Sequence, residues 1–136
     1  ILVLTMISFI YAMYDHKADF ETINRIAKDM NIYDKEEISK EEFHQFFMRV
    51  VTKDKQVEHN HFYKSVFKRY MEGIPQRVKT EDLITYVDFD KLKEIMIDIV
   101  REQYGPEHAE AVRKKLSEHE EEQERLERTN GDKSEL

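Results

Sequence analysis

The sequence contains no cysteine and no tryptophan, and only three glycine and two proline residues occur among its 136 residues. Without cysteine the chain has no disulfide framework, no thiolate nucleophile and no zinc site built from thiolates. Sheet proteins need many turn residues, so this scarcity of glycine and proline, together with 38% charged residues, predicts a mostly helical chain. The length suits one domain with a single hydrophobic core.

The chain also lacks an excess of basic residues, and its formal net charge is −7. Eight acidic and three basic residues give residues 117–136 a net charge of −5, which leaves −2 for the rest of the chain. A nucleic-acid interface needs a basic face, so we expect no nucleic-acid partner. The last 20 residues instead form an acidic tail.

The motifs of common catalytic sites are missing as well. No Ser-His-Asp order, glycine-rich phosphate loop or H-E-x-x-H sequence is present. His59 and His61 are two positions apart, so a helix would point their rings to different sides, and no cysteine or acidic cluster completes a metal site. No carboxylate lies in an apolar run that would raise its pKa for acid–base catalysis. We therefore expect a protein that is not an enzyme.

Apolar residues recur three and four positions apart in several stretches, which is typical of amphipathic helices. The first helix is predicted over residues 18–30 and the second over residues 39–51. Ser39 and Glu42 form an S-x-x-E capping box, which marks the start of the second helix.

Two further helices are predicted in the second half of the chain. Asp88 is a suitable N-cap for a helix that ends at Gly105, and Pro106 opens the last helix. Few apolar residues follow Leu116, so we expect a solvated helix that gives way to disorder at residues 129–136.

The apolar pattern of the first two helices returns at a constant offset of 40 residues, through the loop between them. Each helix–loop–helix unit would expose an apolar face, and a paired copy is the simplest way to cover it. The matched pairs are Ile23 with Tyr63, Ile26 with Val66, Ala27 with Phe67, Met30 with Tyr70, Phe43 with Leu83, Phe46 with Tyr86, and Phe47 with Val87.

The loop at residues 31–43 ends in a β-branched residue, a carboxylate and an aromatic residue: Ile38, Glu42 and Phe43. An EF-hand loop ends in the same way, and a weaker version follows at residues 78–83, so the chain resembles the EF-hand family over about residues 18–89. The resemblance implies an all-α fold of paired EF-hand-like helix–loop–helix units, followed by two further helices and the acidic tail. The expected organisation is an apolar segment at 1–14, the pair at 15–89, a helical extension at 90–128 and a disordered end at 129–136.

The resemblance also implies where calcium ligands would lie. In the first loop the ligand positions hold Asn31, Tyr33, Lys35, Glu37 through its carbonyl, Ser39 and Glu42. Calcium takes six to eight oxygen ligands, and only Asn31, Ser39 and Glu42 offer suitable side chains. The second loop keeps a single carboxylate, that of Asp82. We therefore expect no cofactor; the alternative is a low-affinity calcium sensor or buffer that uses the first loop.

A dense group of aromatic side chains is predicted to lie mostly in the core. A paired EF-hand fold also forms a groove that accepts a partner's amphipathic helix, with Phe and Met as its usual lining. The expected function is thus calcium-independent protein–protein interaction, as an accessory or structural subunit. The candidate groove residues are Phe43, Phe46, Phe47, Met48, Phe67, Tyr70 and Met71.

Both ends of the chain bear on its location in the cell. Residues 1–14 carry no charge, so they fit a signal peptide, part of a membrane helix or a core helix. The polar boundary at residues 15–19 favours a membrane. The last four residues, Lys-Ser-Glu-Leu, resemble the Lys-Asp-Glu-Leu retrieval signal. A membrane-associated or endoplasmic reticulum location is favoured, and a mitochondrial or cytosolic one stays open.

Overall fold

The structure is a computed structural model that describes residues 19–52 and 61–134, with side chains described up to Thr129. The predictions for the apolar segment at residues 1–14 and for His59 therefore lie outside the described residues, as do the last two residues of the Lys-Ser-Glu-Leu sequence.

The described residues are mostly helical, which confirms the predicted all-α class, and two short strands accompany the helices. Two 3₁₀ helices, Ile32–Asp34 and Thr80–Tyr86, lie in the connections. In chain order the other elements are α1 (Phe20–Asp29), β1 (Glu37–Ser39), α2 (Lys40–Val51), α3 (His61–Glu72), β2 (Arg77–Lys79), α4 (Phe89–Tyr104) and α5 (Pro106–Ser134).

Side-chain caps fix the starts of three helices. The Asp19 carboxylate accepts a hydrogen bond from the Thr22 amide at the start of α1. Ser39 and Glu42 form the predicted capping box at the start of α2. The predicted cap at Asp88 is also confirmed, because its carboxylate accepts from the Lys91 amide. Each cap satisfies backbone donors that the first helical turn leaves unpaired.

The two strands form a small antiparallel ribbon in which Ile38 lies directly opposite Val78. Both side chains are fully buried. Helices α1 and α3 each precede a strand of the ribbon, and α2 directly follows β1. The C-terminal ends of α1 and α3 and the N-terminal end of α2 therefore lie beside the ribbon. The Lys40 amide at the start of α2 donates to the Gln76 carbonyl just before β2, over 3.0 Å. The ribbon therefore ties the two units together at one end.

Stacked aromatic rings join the two units in the core. The Phe47 ring of α2 lies 4.3 Å from the Tyr70 ring of α3 and 5.9 Å from the Phe43 ring, measured between centroids. All three side chains are at most 1% exposed. Burial of rings of this size supplies a large part of the hydrophobic stabilisation of a small domain.

The second unit departs from the helix that the repeat predicts after its loop. Residues Thr80–Tyr86 form a 3₁₀ helix, and α4 begins only at Phe89. Lys79 occupies the position that Ser39 occupies in the first unit, and it makes no side-chain cap. Without a side-chain oxygen to accept the free amides, the chain forms tighter i to i+3 bonds here. The matched positions Tyr86 and Val87 are consequently only half-buried.

Gly105 ends α4 as predicted, with a φ of 101° that glycine adopts without steric strain. Helix α5 starts at Pro106 and folds back along α4, packing through Ala109, Val112 and Leu116. Beyond this contact, residues 121–129 are exposed. The helix continues to Ser134, past the predicted boundary at residue 129, and the domain boundaries themselves stay predictions.

Among the described residues, no helix combines the length and the apolar composition needed to span a membrane. Residues 1–14, on which the membrane prediction depends, lie outside that range.

Candidate functional site

The first loop, between α1 and α2, is shaped by a left-handed residue and a short 3₁₀ turn. Asn31 has a φ of 58°, and its side chain makes no cap for the turn that follows. Ile32 anchors the turn in the core. The Tyr33 hydroxyl donates to the side-chain amide oxygen of Asn24 on α1, and partial burial raises the pKa of this phenol.

Both carboxylate oxygens of Glu42 have partners within the loop. The Lys35 ammonium lies 2.7 Å from Oε2, and Oε1 accepts from the Ser39 amide and hydroxyl at 3.3 Å each. The hydrogen bond from Lys35 and then that from the Ser39 amide lower the pKa of Glu42. The loop thus brings a lysine cation to the carboxylate that caps α2.

Of the three predicted metal-ligand candidates, the structure pairs Ser39 with Glu42 through the capping box, whereas Asn31 is exposed at the start of the loop. Across the described residues, no group of three or more histidine or acidic side chains is arranged to hold a metal ion.

The second loop, between α3 and β2, is closed by apolar contacts and one cross-strand ion pair. Met71 and Ile74 are buried. The Arg77 guanidinium lies 2.9 Å from the Glu37 carboxylate on β1. This ion pair adds a side-chain contact between the two strands beside the second loop.

Tyr70 links three parts of the second unit. Its hydroxyl donates to the Tyr86 carbonyl and accepts from the Asp88 amide at 2.9 Å, so it bridges the end of the 3₁₀ helix and the start of α4. The Lys91 ammonium lies 5.2 Å from the ring centroid, within reach of a cation–π contact. Burial raises the pKa of Tyr70 to about 12.

An open groove with a cavity volume of about 1370 Å³ lies between α1, α2 and α3. Four apolar side chains line the groove, and we call them the groove floor: Ile26 of α1, Met48 of α2, and Phe67 and Met71 of α3. Charged and polar side chains line the rest of the groove. An apolar floor with a polar rim is typical of a surface that binds another molecule.

The structure divides the seven predicted groove residues into two sets. Met48, Phe67 and Met71 line the groove, and of these Phe67 and Met71 are only 4% and 7% exposed. The other four are packed in the core, with exposed fractions of 0–1%, and these are Phe43, Phe46, Phe47 and Tyr70. Ile26 was missed as a groove residue, because its helical spacing also fits the core.

Five basic side chains border the groove, and we call them the rim cations: Arg25, Lys40, Arg49, Lys64 and Lys68. None of them forms an ion pair with a carboxylate of the described residues, whereas eight other basic side chains do. Three carboxylates, those of Asp29, Glu41 and Glu72, also line the groove. The sequence carries a signal for this rim, since Arg25, Arg49 and Lys68 each directly follow or precede a floor residue.

Comparisons with protein-family models, with curated proteins and with solved structures gave no match. Function is therefore inferred from the two loops and the groove.

Proposed function

We propose that this chain is a non-catalytic protein–protein interaction module or accessory subunit, built on a pair of EF-hand-like units that works without calcium. The groove between α1, α2 and α3 is the observation that carries the proposal. The antiparallel pairing of Ile38 with Val78, at the same position of each loop, supports the EF-hand-like pairing.

The dimensions and lining of the groove support a helical ligand. Helices α2 and α3 have 12 residues each and are therefore about 18 Å long, which matches three turns of a bound helix. An amphipathic helix places apolar anchors at positions i, i+3, i+4 and i+7, along one face. Met48 and Met71 suit such a ligand, because the flexible thioether side chain adapts to differently shaped anchors.

The contact between Lys35 and Glu42 supports independence from calcium. In an EF-hand the final glutamate binds the ion through both oxygens. Here one oxygen of Glu42 holds the Lys35 ammonium at 2.7 Å, and the other holds Ser39. A calcium ion would have to displace the lysine and also open the cap that starts α2.

Thermal unfolding with excess EGTA and then with calcium tests this independence, with magnesium as the control for ionic strength. A ligand that binds only the folded state raises the Tm in proportion to ln(1 + [L]/Kd). We expect no calcium-specific change. A rise with calcium that is lost in Glu42→Gln would contradict the proposal and support the alternative, a low-affinity calcium site in the first loop.

Fluorescence tests the groove, because the chain has no native cysteine and a single introduced one can be labelled. Gln45 is exposed and lines the groove, and Gln123 is exposed on α5 away from it. A helical peptide of about 18 residues, with leucines on one face, should change the emission of a dye on Gln45→Cys but not on Gln123→Cys. No response, or equal responses, would contradict a helix-binding groove.

A further inference from the structure

We infer that the groove selects an amphipathic helix whose apolar face is flanked by carboxylates, with these carboxylates on the half that lies away from the ribbon. The inference rests on the proposed helix-binding function and adds the charge of the partner and its placement.

The rim cations are the first observation. Five basic side chains surround the groove floor against three carboxylates, and none of the five has an ion pair inside the described part of the chain. Elsewhere on the same acidic protein, basic side chains hold carboxylates at 2.6–3.8 Å. Cations that are grouped around an apolar surface and form no ion pair among the described residues create a positive potential, which an acidic ligand would neutralise on docking.

The second observation is that the charges are separated along the groove. Asp29 and Glu72 are the last residues of α1 and α3, and Glu41 is the second residue of α2. These helix ends adjoin the ribbon. At the other end, Arg49 lies in the last turn of α2 and Lys64 in the first turn of α3. Lys68 lies midway along α3, one turn from Lys64 and one turn from Glu72.

This separation predicts the position of the partner's charges. In the half of the groove away from the ribbon, Arg49 and Lys64 lie near helix ends that carry none of the described lining carboxylates, so this half favours acidic side chains. The half beside the ribbon holds the three carboxylates together with Lys40, and Arg25 lies one turn before Asp29, so this half is closer to neutral. A helix whose charge is uniform along its length would match only one half.

Two segments of this chain fit the groove less well. Residues 117–129 are acidic but contain Leu126 as their single apolar side chain, so they cannot cover four floor residues. Residues 1–14 are apolar but carry no charge, so they would leave the rim cations unneutralised. An anionic membrane is flat, whereas the floor lies between three helices.

The test uses the full chain labelled at Gln45→Cys and two helical peptides of about 18 residues. Both peptides carry the same leucine face, and the flanking positions of one half are glutamate in one peptide and lysine in the other. We expect the glutamate peptide to bind on the order of tenfold more tightly at low salt, because ion pairs and steering both favour it. Added salt should reduce the difference.

Charge reversal at the rim supplies the decisive variant. Lys64 and Lys68 are exposed on α3, so Lys64→Glu combined with Lys68→Glu should leave the fold intact, which circular dichroism checks. This variant should prefer the lysine peptide. Lys114→Glu combined with Arg128→Glu, at exposed positions of α5, changes the net charge equally and is the matched control, which should keep the original preference.

The outcomes separate this inference from the proposed function. Equal binding of the two peptides would overturn the inference and leave the helix-binding groove standing, and binding of neither would overturn both. Synthetic peptides of residues 1–14 and 117–136, and vesicles of phosphatidylserine and phosphatidylcholine, serve as alternative ligands. If any of these changes the emission of the labelled chain at a lower concentration than the glutamate peptide does, the groove belongs to that ligand instead.

Discussion

The two helix–loop–helix units share a ribbon, but the chain forms a different kind of helix after each strand. In the first unit α2 begins at Lys40, directly after β1. In the second unit a 3₁₀ helix of seven residues follows β2, and α4 begins ten positions after the strand ends. Since Ile38 and Val78 are equally buried opposite each other, the apolar pattern alone does not explain the difference.

The difference lies in the polar residues at the start of each helix. Ser39 and Glu42 satisfy two free amides of α2 reciprocally, and their counterparts 40 residues later are Lys79 and Asp82, which form no capping box. The apolar repeat therefore determines which faces pack together, and the capping residues determine where the α-helix starts. In the second unit, which lacks the capping box, the Tyr70 hydroxyl forms hydrogen bonds with two backbone groups just before α4.

The largest expected effect comes from removing the ring that joins the units. Phe47 is 1% exposed and contacts rings of both units, so Phe47→Ala should lower the free energy of unfolding by about 3–5 kcal/mol. Urea unfolding measures this loss. Phe20→Ala is the control, since Phe20 is 62% exposed and should change stability by less than about 0.5 kcal/mol. Similar losses for the two variants would show that Phe47 does not connect the units.

A smaller loss is expected when the second unit loses the Tyr70 hydroxyl. Tyr70→Phe keeps the buried ring but removes the hydrogen bonds to the Tyr86 carbonyl and the Asp88 amide, at an expected cost of about 1–3 kcal/mol. Tyr33→Phe in the first unit removes a hydroxyl from a ring that is 39% exposed. Water can replace that bond, so its loss should cost less. If Tyr33→Phe cost as much, hydroxyl bonding would not distinguish the units.

The pH dependence of Tyr70 gives a second check on the same residue. Burial raises its pKa to about 12 from a usual 10, so the unfolded chain loses the proton first as the pH rises. Wild-type stability should therefore fall between about pH 10 and pH 12, and Tyr70→Phe should lose this part of the dependence. An unchanged alkaline profile in Tyr70→Phe would mean that the hydroxyl is not buried in solution.

Next in size is the effect of the cap at Ser39, which has no counterpart at the matching position, Lys79, of the second unit. Ser39→Ala removes the acceptor for the Glu42 amide and should destabilise the fold by about 1 kcal/mol in urea unfolding. Lys79→Ala changes the matching position of the second unit, where no cap exists, and should have an effect near zero. Equal effects would show that capping is not what separates α2 from the 3₁₀ helix.

The sequence predicts the helices, the cap at Ser39 and the end of α4 at Gly105, because each depends on residues a few positions apart. The end of the 3₁₀ helix escapes prediction, since the hydroxyl bonded to the Tyr86 carbonyl belongs to Tyr70, on another helix. Helical spacing also does not separate Phe47 in the core from Met48 at the groove, because both lie on the inward side of α2 and only the positions of α1 and α3 distinguish them.

The smallest expected effect concerns the ion pair that only the first loop forms with its cap. The pKa of Glu42 lies below its usual 4.5, chiefly because Lys35 donates to its carboxylate, so the contact stabilises the folded state above that pH. Stability from this pair should be lost as the pH falls through the lowered pKa of Glu42. Urea unfolding of wild type and Glu42→Gln at several pH values should therefore show a difference that shrinks in acid. In a Lys35→Ala background the same comparison should depend less on pH, and an undiminished dependence there would show that Lys35 does not hold the carboxylate in solution.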